Sequence, residues 1–139
     1  MKKLSLLIAL GIACSIAIAK PTVNVSQFET YSQQMQDMSA KYISEKKFDN
    51  ANKTIEAWLN SYNLLSDKEK ASYAPVYATI MYNKACALTQ KNEMFYALKA
   101  LKEAVKAGFN NSTQALSDPN LAQLKSYDEF NKILKSIKA

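Results

Sequence analysis

This 139-residue chain has no His, and all eighteen of its basic side chains are Lys. It therefore lacks the usual general base near neutral pH, the commonest metal ligand and the bidentate clamp for phosphate or carboxylate, so most enzyme chemistry is excluded and no metal or cofactor is expected. A formal charge of +6 without Arg for base-edge or minor-groove contacts speaks against nucleic acid as well.

The chain opens on the basic Met1-Lys2-Lys3, followed by an apolar run from Leu4 to Ala19 that ends in Ala17-Ile18-Ala19 before Lys20-Pro21. About 16 apolar residues are short for a span, which needs roughly 20, and the small residues at 17 and 19 suit a signal peptidase. A bacterial-looking signal peptide over 1–19, cleaved after Ala19, is the expectation, with no integral span afterwards and a periplasmic or secreted location. Two alternatives are a retained anchor helix and lipidation at Cys14 after Leu10-Gly11-Ile12-Ala13. Against lipidation, Gly11 stands where a lipoprotein box usually carries Leu, and an apolar Ile16-Ala17-Ile18-Ala19 would remain behind the lipid. Cleavage leaves 20–139 as a single domain and removes two lysines, so sixteen remain against twelve carboxylates, a net of +4. Only Cys86 then remains, no internal disulfide is possible, and the fold must hold by packing.

Two Gly and three Pro in the whole chain leave little punctuation, and no strand pattern competes with helix. A first helix is predicted from the capping box Ser26-Gln27-Phe28-Glu29, with Phe28, Tyr31, Met35, Met38 and Tyr42 recurring in steps of three and four. A break near Lys46-Lys47-Phe48-Asp49 leads to a second helix with the stripe Phe48, Ala51, Ile55, Trp58 and Leu59, so the pair reads as a hairpin. A third helix is predicted from the capping box at Ser66-Asp67-Lys68-Glu69 to about Lys91. Pro75 must kink or restart it, because a mid-helix proline costs about 3 kcal/mol. The fourth runs from about Asn92 to Ala107 and ends at Gly108, placed to take the left-handed conformation while Phe109 packs back. Asp118 then reads as an N-cap with Pro119 in the first turn, and Ser126-Tyr127-Asp128-Glu129 as a further box before a final amphipathic helix through Phe130, Ile133, Leu134 and Ile137.

Small residues carry the sharpest signal. Ala85 on one helix and Ala97 and Ala104 on the next are spaced for close backbone approach, while Met81, Leu88, Met94, Leu98, Leu101 and Val105 fill the seam. Cys86 lacks a His, a second Cys or a basic neighbour to activate it and reads as a packing residue rather than a redox or metal thiol. Trp58 reads as core rather than ligand platform. Tyr31, Tyr42, Tyr73 and Tyr77 lie on apolar stripes rather than a sugar-stacking face, which leaves Tyr82 for contact. Lys99, Lys102 and Lys106, and later Lys132, Lys135 and Lys138, are one-sided stripes that read as solvated faces complementing helix C-termini; anionic lipid or an acidic protein is the alternative. An enzyme would need Glu29, Asp37 and Glu45 to act unaided, and helix geometry spreads these apart.

From Tyr82 to Val105 the chain resembles a tetratricopeptide repeat (TPR) protein. Tyr82-Asn83-Lys84-Ala85-Cys86 is similar to the family's Tyr-Asn-Leu-Ala-Cys opening, and Ala97, Leu101 and Ala104 fall on the signature of its second helix. Met35, Met38, Ser39, Tyr42, Ala51 and Ile55 match less closely, with Trp58 where the family keeps a small residue. Asp118-Pro119-Asn120-Leu121, Leu124 and Phe130 are similar to the closing segment of bacterial members. Ala51 and Ala97 lie 46 residues apart, against about 34 in a regular array. The resemblance implies an all-α fold, a short right-handed TPR-like stack of about two helical hairpins with a C-terminal capping helix.

It also implies a non-enzymatic adaptor that holds a protein or peptide partner in a groove lined by the first helix of each hairpin. Carried over by motif position, the groove residues are Gln33, Gln36, Asp37, Ala40 and Ile43, then Thr79, Tyr82, Asn83, Cys86, Thr89 and Gln90. Tyr82 stands where members that grip a terminal carboxylate carry Lys or Arg. Because a solenoid needs about three repeats, a structural subunit that completes its core as a homodimer or inside an envelope complex is the alternative.

Overall fold

A computed structural model of the chain describes residues 25–137; the expected leader, with Cys14 and Ala19, lies outside them. Every regular element among the described residues is helical: α1 Val25–Ser44, α2 Phe48–Tyr62, α3 Asp67–Ser72, α4 Ala74–Gln90, α5 Met94–Lys106, α6 Ser112–Ser117, a 3-10 helix Pro119–Ser126, and α7 Asp128–Ser136. None of these helices is long and apolar enough to cross a membrane. The chain makes two hairpins, α1–α2 and α4–α5, with α4 packed on α1, α2, α5 and the 3-10 helix, and α7 covering α5.

The hairpins turn by the same device. At the end of α1, Lys46 takes φ +58, with Lys46 N–H on the Ile43 carbonyl at 3.0 Å and Lys47 N–H on the Tyr42 carbonyl at 2.7 Å. At the end of α4, Asn92 takes φ +62, with Asn92 N–H on the Thr89 carbonyl at 3.0 Å and Glu93 N–H on the Leu88 carbonyl at 2.9 Å. Both are Schellman caps, which satisfy the last carbonyls of a helix through one left-handed residue. Lys46 and Asn92 are separated by the same interval as Ala51 and Ala97, so the duplication is one of backbone geometry. Gly108, at φ +112, closes α5 in the same way, with Phe109 N–H on the Ala104 carbonyl at 2.9 Å.

Ala85, Ala97 and Ala104 are fully buried, as the close-approach reading requires. At the place equivalent to Ala104, α2 carries Trp58, also fully buried. Its bulk is accommodated because the facing residue on α1 is Ser32, whose Oγ accepts from Trp58 Nε1 at 2.9 Å. Phe28, Tyr62 and Tyr77 pack around the indole with ring centroids 4.8 to 6.4 Å away. The indole therefore fills the space that small residues leave on the α1 side, and the interior stays packed.

Pro75 restarts the helix rather than kinking it: α3 ends at Ser72 and α4 begins at Ala74, with the proline in its first turn where a missing N–H costs nothing. The Ser66 box forms, Ser66 N–H bonding the Glu69 carboxylate at 2.8 Å and Glu69 N–H the Ser66 hydroxyl at 3.4 Å. The other two boxes do not. Ser26 sits inside α1, which already includes Val25. Ser126 ends the 3-10 helix and donates to the Gln123 carbonyl at 3.1 Å, leaving α7 to begin at Asp128. α5 starts at Met94, two residues after the expected Asn92, because Asn92 is spent on the turn. α6 was not expected; Asn111 caps it by accepting from Gln114 N–H at 2.8 Å.

Candidate functional site

An open groove of about 610 Å³ runs between α1 and the α3–α4 junction. Glu29, Gln33 and Gln36 line it from α1, and Ser72, Tyr73 and Val76 from the opposite side. The walls are held rigidly. Asn83 Nδ2 on α4 donates to Ser39 Oγ on α1 at 2.9 Å, the Ser39 hydroxyl donates in turn to the Gln36 carbonyl at 2.9 Å, and Trp58 fixes Ser32 from behind. Tyr73, buried against Phe28 edge-on at 4.8 Å, supplies an apolar wall.

Gln33 Nε2 bonds Asp37 Oδ1 at 3.0 Å, and Gln36 Nε2 makes a long 3.4 Å contact to the Ser32 carbonyl. Each amide carbonyl and second N–H can therefore face the groove, and side-chain amides offer both a donor and an acceptor, the complement of a peptide group. The single lining carboxylate, Glu29, favours a cationic occupant.

The rest of the expected surface is placed differently. Tyr82 is 5% exposed: its ring stacks on Phe109 at 4.5 Å and its hydroxyl donates to Asp118 Oδ2 at 2.7 Å. Cys86, 2% exposed, directs its Sγ at the same oxygen at 3.6 Å, and Gln90 Nε2 donates to the Asn120 carbonyl at 3.0 Å. Thr89 is fully buried, bonding the Ala85 carbonyl at 2.7 Å, and Ile43 is buried too. Thr79 is exposed but turned back on the Pro75 carbonyl at 3.2 Å, and Ala40 is exposed. Tyr82, Cys86 and Thr89 are thus corrected from partner-facing to buried, and Gln90 is half-buried with its amide engaged: the chain's own segment from Asp118 covers Tyr82, Cys86 and Gln90.

Asp118 explains that covering. Its Oδ1 accepts from Asn120 N–H at 2.8 Å and Asn120 Nδ2 at 3.0 Å, capping the 3-10 helix, while Oδ2 takes Tyr82 and Cys86. Leu121 and Leu124 follow into the core, fully buried. Burial first, then the bond to Asp118, pushes the Tyr82 hydroxyl far above its ordinary pKa, and burial beside Asp118 raises the Cys86 thiol likewise. Cys86 is therefore held as a thiol, the unreactive form.

Lys84, on a position where Leu is expected, reaches Glu56 on α2 at 2.6 Å. Sequence reasoning passed over Phe95 and Tyr96, which are 73% and 58% exposed on the first turn of α5. The signal was present, since the equivalent residues before Ala51 are Asp49 and Asn50. Among the described residues no group of three or more His, Cys, Asp or Glu is placed to hold a metal ion.

No protein-family model matches the chain, and no solved structure matches it. Over 54 residues it is 37% identical to a chloroplastic protein of Arabidopsis thaliana; the match covers 39% of this chain and 16% of that protein.

Proposed function

We propose that this chain is a non-enzymatic, TPR-like adaptor of the bacterial envelope, which takes an extended peptide or a helix of another protein into the groove between α1 and the α3–α4 junction. The groove carries the reading: it is open, its walls are braced by Trp58–Ser32 and Asn83–Ser39, and its lining pairs amides with one tyrosine and one valine. Support for the repeat assignment comes from two hairpins with the same left-handed cap 46 residues apart and from a C-terminal segment that covers the second one. The leader over 1–19 is read as sending the chain to the periplasm or beyond. A self-associating scaffold is the second reading, favoured by the exposed Phe95 and Tyr96.

Selection of peptides from a random display library on the wild-type protein tests the adaptor reading. Peptides so selected are expected to bind Gln36→Arg and Val76→Arg at least about tenfold more weakly, the effect of blocking a central interface position, and Lys125→Glu unchanged. Equal binding to all of these variants would remove the groove from the function.

A further inference from the structure

The duplicated hairpin supplies an internal control. Residues 46 apart occupy equivalent places, and at the two positions before the equivalent alanines α2 presents Asp49 and Asn50 to solvent, whereas α5 presents Phe95 and Tyr96. The backbone therefore asks for no aromatic there. The two rings stand T-shaped, 5.4 Å apart, with Phe95 73% and Tyr96 58% exposed. Exposed apolar residues scattered singly need no explanation, but an adjacent pair of which one ring, Tyr96, lines a hollow does.

That hollow, about 480 Å³, lies between α2 and α5 over α4, with Tyr96 on one wall and Leu59, Tyr77 and Met81 in its floor. Its rim carries both signs of charge, Glu56 bonded to Lys84 at 2.6 Å, then Lys99 and Glu103. An anionic lipid surface fits poorly, because neighbouring lysines of α5 are already compensated, Lys102 by Glu129 at 3.6 Å and Lys106 by Glu103 at 2.8 Å.

We propose that a second copy of this chain docks on this face about a two-fold axis, Phe95 of each copy entering the α2–α5 hollow of the other. A two-fold contact requires one patch to be complementary to itself. This patch has a projecting ring, a hollow with apolar lining beside it, and a rim on which Glu56 and Glu103 balance Lys84 and Lys99, so that two copies face each other without net like charge. A foreign helix would need the hollow but not the projecting pair. The surface is separate from the α1–α3–α4 groove, so the inference does not rest on the peptide-binding reading.

Sedimentation velocity on the protein as the cell leaves it, between about 1 and 100 µM, tests the contact. The wild type is expected to dimerise in that range, and the double variant F95D/Y96N, which installs the residues the first hairpin carries, to dissociate at least about tenfold more readily while its thermal midpoint, read at a concentration where both are monomeric, is unchanged. A wild type that stays monomeric at 100 µM overturns the proposal. So does a dimer that the double variant leaves intact, or an aromatic pair that binds anionic phosphatidylglycerol vesicles while the chain stays monomeric.

Discussion

Asp118 does more than any other single side chain, since both carboxylate oxygens are engaged and the four donors come from Asn120, Tyr82 and Cys86. The two raised acids facing it set a pH limit. In the unfolded chain Cys86 and Tyr82 ionise near their ordinary values of 9.0 and 10.0, whereas folding holds both protonated, so above those values the unfolded state binds fewer protons and stability falls. Urea midpoints are expected to be level from about pH 6 to about pH 9 and to decline above it, with Cys86→Ala delaying the onset toward about pH 10; a level profile to about pH 11 would contradict the burial argument. Asn52 is a second residue with a clear forecast. Its Oδ1 is buried without a hydrogen-bond partner, while the equivalent place in the second hairpin carries Leu98. Asn52→Leu should raise stability by about 1 kcal/mol, measured by chemical denaturation, because it removes an unsatisfied acceptor. Residue identities were partly legible: Trp58 as core followed from its helical spacing, but the partner of Tyr82 did not, because Asp118 lies 36 residues away and no periodicity links the two.

The helices themselves were the legible scale. Phe48 to Leu59 and Met94 to Val105 carry apolar stripes at helical spacing, and Gly108 marks its own turn. Caps that rely on Lys46 and Asn92 in the left-handed region were not legible, because nothing in a lysine announces φ +58. That conformation costs an L-residue roughly 1 kcal/mol relative to glycine, so Lys46→Gly should stabilise the domain by about 0.5–1 kcal/mol, and Asn92→Gly by less, since asparagine tolerates it better. A thermal midpoint lowered by Lys46→Gly would contradict the Schellman assignment. Gly108→Val should be destabilising for the converse reason: no atom lies within 4 Å of the added Cβ, so the loss comes from φ +112 alone and not from a clash. The capping boxes at Ser26 and Ser126 misled because Ser-x-x-Glu is a short pattern: Ser26 lies within α1, and Ser126 ends the 3-10 helix before α7 begins at Asp128. Leu121 and Leu124, both fully buried, hold the covering segment on α4. Leu121→Ala should cost about 2–5 kcal/mol in equilibrium unfolding, whereas a segment resting loosely on the surface would lose little.

At the scale of the molecule, one pattern accounts for the layout of the described residues: two hairpins that turn alike, a C-terminal segment covering the second, and open hollows on different faces. Fold class was legible because the alanine spacing and sparse glycine leave few other ways to pack. Of the expected groove residues only Gln33 and Gln36 line the proposed groove, because on α4 Tyr82, Cys86 and Thr89 are buried within the chain itself. The most direct measurement of the central claim is an amide-resolved NMR titration of the protein with a peptide selected on it. Backbone and side-chain shifts are predicted to concentrate at Glu29, Gln33, Gln36, Tyr73 and Val76, with Tyr82 and Cys86 undisturbed; shifts confined to α5 or to the 118–124 segment would contradict the assignment of the groove.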